Sequence, residues 1–145
     1  MRIIQTLLFV TLTSLSFSAS SISEKNESFA SFIWRFFKYS DFQINRIEFP
    51  VEILRFVDEL KSLRPVLGKE QINKNEWKHI LGPKHFGCQR NCFDINVYDN
   101  FEKKLNNTGK RVLSLEGVEN GINSSYYFKL KENKWYLVKI EWLST

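Results

Sequence analysis

Two cysteines, two histidines and a scatter of carboxylates are the residues of this 145-residue chain that offer chemistry. Cys88 and Cys92 stand in the run Gly-Cys-Gln-Arg-Asn-Cys. A thioredoxin-type redox centre needs two residues between its cysteines, and here there are three. His85 and Asp94 lie close enough in sequence to join the cysteines around zinc, but the set fits no standard ligand spacing and has no second half-site. A structural disulfide is therefore favoured over a metal, provided the chain reaches an oxidising compartment. Nucleophilic catalysis finds little support. The motifs Gly-x-Ser-x-Gly, His-Glu-x-x-His and Gly-x-x-x-x-Gly-Lys-Ser/Thr are all absent. His79 reads as a helix-surface histidine. The sequence thus assigns no catalytic residue, no metal and no cofactor.

The oxidising compartment is supplied by the N-terminus. Arg2 precedes an apolar run from Ile3 to Val10, and small hydroxylated residues follow up to Ser18-Ala19-Ser20. This is the pattern of a secretory signal peptide over residues 1–20, and the run is too short to span a bilayer. The mature chain, 21–145, is expected to form one α+β domain, exported to the periplasm or beyond, soluble or peripheral rather than transmembrane. The formal charge is +5, with 26% charged and 15% aromatic residues. Such a composition excludes a disordered polyelectrolyte. The cations are interspersed with acids, which disfavours nucleic acid as a partner.

The elements that must position any site begin with a helix predicted over 21–39. Ser21 and Glu24 have capping-box spacing, with Ser23 a rival cap. Phe29, Phe32, Ile33, Phe36 and Phe37 follow the helical period, and Ala30 and Trp34 widen the apolar stripe to roughly 200°. A stripe that wide predicts burial on more than one side, inside a curved sheet. Asp41 is expected to end the helix. Ile47, Phe49, Val51 and Ile53 alternate as in a strand, with Pro50 marking an edge or a bulge. Residues 58–72 read as a loop or short hairpin. Asn73 and Glu76 start a predicted short helix, Lys74 to Ile80, stopped by Gly82-Pro83. Three antiparallel strands follow. Tyr126, Phe128 and Leu130 share one face, and Tyr136, Val138, Ile140 and Trp142 are expected to share another.

Two stretches carry a resemblance. One is Phe29-x-x-Phe32-x-x-x-Phe36 with Asp41-Phe42-Gln43-x-x-Arg46-Ile47-x-Phe49-Pro50. The other runs from Tyr126-Tyr127-Phe128-Lys129 through Asn133-Lys134-Trp135-Tyr136-Leu137-Val138-Lys139-Ile140. Together they resemble a bacterial envelope family known only as domain of unknown function 4348. The resemblance implies a nuclear-transport-factor-2-like (cystatin-like) cone: α+β, with a bent antiparallel sheet wrapping a long N-terminal helix. It implies no activity.

Cones of this kind often leave an aromatic-lined pocket between helix and sheet. Trp34, Phe37, Gln43, Arg46, Tyr126 and Trp135 are the candidates to line it. Three functions remain open. The leading one is non-enzymatic binding of a small apolar or amphipathic molecule or of an envelope protein. An isomerase or hydratase would need a buried base, for which Asp41 and His85 are the candidates. A structural or toxin-neutralising interaction protein is the third. For Gln43 and Arg46 the residue types favour a structural role at the turn after the helix. The alternative is that they hold a ligand carboxylate or phosphate.

The N-terminal reading predicts an exported protein that begins between Ala19 and Ser21, with no free thiol under denaturing, non-reducing conditions. Intact mass and thiol titration check this together. An unprocessed Met1 contradicts export, and two free thiols contradict the disulfide.

Overall fold

The computed structural model describes residues 25–57, 65–82, 93–106, 108–119 and 121–143. The expected signal peptide, His85, Cys88 and Cys92 lie outside these residues, and so do the proposed caps Ser21, Ser23 and Glu24.

Two helices precede the sheet: α1, Phe29–Lys38, and α2, Ser40–Ile44. Six strands follow: β1 (Ile47–Val57), β2 (Val66–Ile72), β3 (Phe93–Tyr98), β4 (Lys110–Gly117), β5 (Asn123–Lys131) and β6 (Lys134–Trp142). They form one sheet in the order β2-β1-β6-β5-β4-β3. Every pairing is antiparallel except β1 with β6, which is parallel. A parallel neighbour requires a long crossover, and β2 to β5 all lie within it.

The helix is shorter than its periodicity suggests. Residues 25–28 are not helical, and Ser28 is extended at φ −62° and ψ 124°. The reason is tertiary: the Glu27 N–H donates to the Asn133 carbonyl at 2.9 Å, which commits the backbone before the first turn. Asp41 does not end α1. The helix stops at Lys38, Tyr39 is extended, and Asp41 belongs to α2.

Nor is α1 buried on two sides. Phe32, Phe36 and Phe37 are buried, whereas Ala30 and Trp34 face outward. The sheet covers one arc of the helix, and the added width of the stripe is surface. Against that arc, Phe128 of β5 meets three helix rings edge to face: Phe29 at 5.4 Å, Phe32 at 5.4 Å and Phe36 at 5.5 Å. Edge-to-face pairs at these distances contribute about 0.5–1.5 kcal/mol each beyond area burial. Val51 and Ile53 of β1, Leu113 and Leu115 of β4, and Leu137 and Ile140 of β6 complete the core.

Pro50 marks a bulge and not an edge. β1 lies between β2 and β6, and its register against β6 shifts between Ile47 and Glu52, around a cis Phe49–Pro50 peptide. A second irregularity corrects the expected face of β6. Its pairing with β5 slips between Tyr127 and Phe128, so that Phe128 faces Leu137 and Tyr127 faces Lys139. One extra residue inverts the alternation. Trp135, Leu137, Ile140 and Trp142 face the core, while Tyr136 and Val138 do not join it.

The helix expected over Lys74 to Ile80 is a single turn, Lys74 to Glu76, followed by irregular chain. Its start signal is real: Glu76 accepts from the Asn73 N–H at 2.9 Å and from the Asn73 side chain at 3.0 Å. Propagation fails because the backbone of Ile80 is already bonded on both sides to the side chain of Gln43. Neither β2 nor β3 is assigned as a strand by the sequence; β2 lies within the 58–72 segment read as a loop or short hairpin, and it pairs antiparallel with β1 instead of within that segment.

Candidate functional site

Four of the six proposed pocket residues are interior. Gln43 is fully buried. Its amide nitrogen donates to the carbonyls of Phe36 and Ile80, both at 2.9 Å. Its amide oxygen accepts from the Ile80 N–H at 2.8 Å and from the Trp77 indole at 3.1 Å. Two donors and two acceptor positions are all that a glutamine has, so this side chain is spent on fastening 77–80 to the end of α1. Phe37 and Tyr126 pack edge to face at 5.5 Å. Burial pushes the Tyr126 hydroxyl pKa up, opposed by its hydrogen bonds to the Trp142 and Ser124 side chains. Trp135 is 4% exposed and stacks edge-on to Phe29 at 5.0 Å.

Arg46 marks a corner built around Glu27. One guanidinium nitrogen donates to a Glu27 carboxylate oxygen at 2.8 Å and to the Trp135 carbonyl at 3.2 Å. The other reaches the second carboxylate oxygen at 3.3 Å. The Trp135 N–H also donates to that carboxylate, at 3.1 Å, and the Trp135 indole donates to the Glu27 carbonyl at 2.9 Å. Arg35 completes the set with an ion pair to Glu27. The Arg46 fork thus takes a carboxylate, that of Glu27, and a carbonyl, that of Trp135, as its donor geometry favours. Burial alone would push the Glu27 pKa up. The Arg46 bonds, the Trp135 N–H and the charges of Arg46 and Arg35 outweigh it and leave the carboxyl below its ordinary value. Glu27 lies within the span predicted as helix, 21–39, but α1 starts only at Phe29. A wheel does not apply to a residue that precedes the helix.

Trp34 stands apart from the other five. It is 58% exposed, with the Lys38 ammonium 4.3 Å from its ring centroid and Tyr39 edge-on at 5.8 Å. Ala30, Ser31, Trp34 and Arg35 line an open groove of about 500 Å³ on the outer side of α1. Asp41, one of the two bases proposed for an isomerase, is exposed on α2 and does not face the core; the other, His85, lies outside the described residues.

Sequence reasoning missed a polar cluster on the opposite, convex face of the sheet. Ser114 and Ser125 share a hydrogen bond at 2.9 Å, and Lys103 donates to Ser125 at 3.3 Å. Tyr127 donates to Glu141 at 2.6 Å, and Lys139 lies 2.7 Å from the same carboxylate. Burial and the anionic Glu141 push the Tyr127 pKa up. Burial acts on Glu141 in the same direction, but bonds from Lys139 and Tyr127 and the nearby charges of Lys139 and Lys103 hold it low. The alternation of β5 places Ser125 and Tyr127 on one face. Nothing in the sequence showed that the segment after β3 would fold over them.

A bent six-stranded mixed sheet with a short helix in its hollow defines the nuclear-transport-factor-2-like (NTF2-like) class of α+β fold. Solved structures agree. An NTF2-like protein of Bacteroides fragilis superposes with a TM-score of 0.57 at 24% identity, over 83% of this chain and 48% of its own. A cystatin-like protein of Bacteroides caccae gives 0.51 at 20% identity, over 81% of this chain and 77% of its own. The chain thus spans about half the length of the B. fragilis protein. No family model and no curated protein matches the sequence. Among the described residues no helix is long and apolar enough to cross a membrane.

The Glu27 corner generates a pH prediction. A carboxyl with a depressed folded pKa stabilises fully above its unfolded value, here 4.5, and that stability disappears as pH falls through the folded value. The wild-type melting temperature should therefore drop below this pH more steeply than that of Glu27→Gln. Parallel acid limbs, measured by circular dichroism, would contradict the assignment.

Proposed function

We propose that this protein is an exported, non-enzymatic binding protein that engages a partner protein through the outer face of α1, with Trp34 as the anchor. The observation that carries the reading is the contrast across one helix. On its inner side Phe32 and Phe36 are 0% exposed and packed against Phe128, whereas on its outer side Trp34 is 58% exposed. A small-molecule site encloses most of its ligand, and the groove at Trp34 is too open to do so. The residues clustered there are Trp34, Tyr39 and Arg35, the types in which binding hot spots are enriched. Lys38, over the rings of Trp34 and Tyr39, adds a charge suited to the rim of an interface. The fold is consistent with the resemblance to the domain of unknown function 4348 family, and the signal-like N-terminus supports an envelope location.

Site-specific photocrosslinking in the native cell tests this. A photoreactive residue at Ser31 should give a discrete adduct of one mass, and the same probe at Lys69, on the sheet edge, should not. Trp34→Ala should weaken the interaction by about 2 kcal/mol or more, roughly thirtyfold, as for a central aromatic anchor. Equal adducts in wild type and Trp34→Ala would remove the proposal.

A further inference from the structure

The convex face of the sheet carries a second feature, independent of the Trp34 surface. Lys110 of β4 and Lys129 of β5 are direct cross-strand partners. Like charges placed opposite one another across an antiparallel pair oppose each other and destabilise the pair. Both ammonium groups also converge on one ring: Lys110 lies 5.2 Å and Lys129 5.8 Å from the centroid of Phe101. The ring attracts each cation through its quadrupole, but it neutralises neither.

Three carboxylates of the described residues are paired with other cations. Asp99 pairs with Arg111 at 3.4 Å, Glu141 with Lys139 at 2.7 Å and Glu48 with Lys131 at 2.6 Å. Among the described residues no ion pair joins Lys110 or Lys129 to an acid, Glu102 included. Phe101 itself is held in place edge-on to Tyr127 at 5.4 Å, and Tyr127 is fixed by Glu141. The two cations therefore stand on paired strands beside an aromatic floor with a fixed position.

We propose that Lys110 and Lys129, over Phe101, form a site for a doubly charged oxyanion of the phosphate type. One dianion between the two ammonium groups replaces their repulsion with two charge-assisted hydrogen bonds. The sheet supplies the spacing through its register, and the ring limits where the lysine stems can lie. The chemistry is shared by free phosphate and by a phosphomonoester headgroup, that of phosphatidic acid, at a membrane surface.

Thermal unfolding of the full mature chain with inorganic phosphate as the probe tests the site, with chloride at matched ionic strength as the control for screening. In phosphate-free buffer, Lys110→Gln and Lys129→Gln should each raise the melting temperature, because a repulsion is removed. Phosphate should raise the wild-type value saturably. In each single variant the half-maximal concentration should increase at least about tenfold, the equivalent of one lost charge-assisted bond, and in the double variant by more. Sedimentation with phosphatidic acid vesicles, against phosphatidylcholine vesicles, separates the two sources. Binding to the anionic vesicles that is lost in the double variant assigns the site to a headgroup. A phosphate effect no different from chloride, or one retained in the double variant, together with no variant-sensitive vesicle binding, would overturn the proposal.

Discussion

A single carboxylate two residues ahead of a helix organises this molecule. Glu27 accepts from Arg46, from Arg35 and from the backbone of Trp135, while its own backbone bonds to Asn133 and to the Trp135 indole. Those partners lie on α1, on the turn after α2, and on the β5–β6 hairpin. Arg46 adds a backbone tie, since its carbonyl accepts from the Leu137 N–H at 2.8 Å. The corner therefore sets where α1 starts and where β1 meets β6. It also seats the Phe29 ring against Trp135 and Phe128. A buried charge is costly unless paired and hydrogen-bonded, and here each carboxylate oxygen has a cationic partner.

Gln43 does the same work at the other end of α1 without a charge. Its amide binds Phe36, Ile80 and Trp77 and leaves no position free. Between these two clamps the helix presses its phenylalanines into the sheet. Among the described residues two surfaces lie outside this packing: the outer side of α1 and the convex face of the sheet. Both carry aromatic rings with cations against them, Trp34 with Lys38 and Phe101 with Lys110 and Lys129.

The parts legible in the sequence were those governed by local period. The spacing of Phe29, Phe32, Phe36 and Phe37 located α1 and its inner face, and the alternation of Tyr126 and Phe128 located β5. The parts that were not legible depend on contacts distant in sequence. Glu27 leaves the helical wheel because Asn133 holds it. Lys74 to Ile80 fails to become a helix because Gln43 takes its backbone groups. Tyr136 and Val138 lose the core to Trp135 and Leu137 because β6 slips by one residue against β5. Trp34 shows the limit of periodicity from the other side. It fits the apolar stripe, yet the stripe is wider than the sheet that covers it.

The central claim is that Glu27 and Arg46 act as one unit in fastening the helix to the hairpin. A double-mutant cycle with Glu27→Gln, Arg46→Met and both together, measured by urea unfolding, tests it most directly. The account predicts a coupling of about 2 kcal/mol, in the range of hydrogen bonds to charged groups, with the second substitution adding little to the first. Additive losses, with coupling within about 0.5 kcal/mol of zero, would show two independent residues and contradict it.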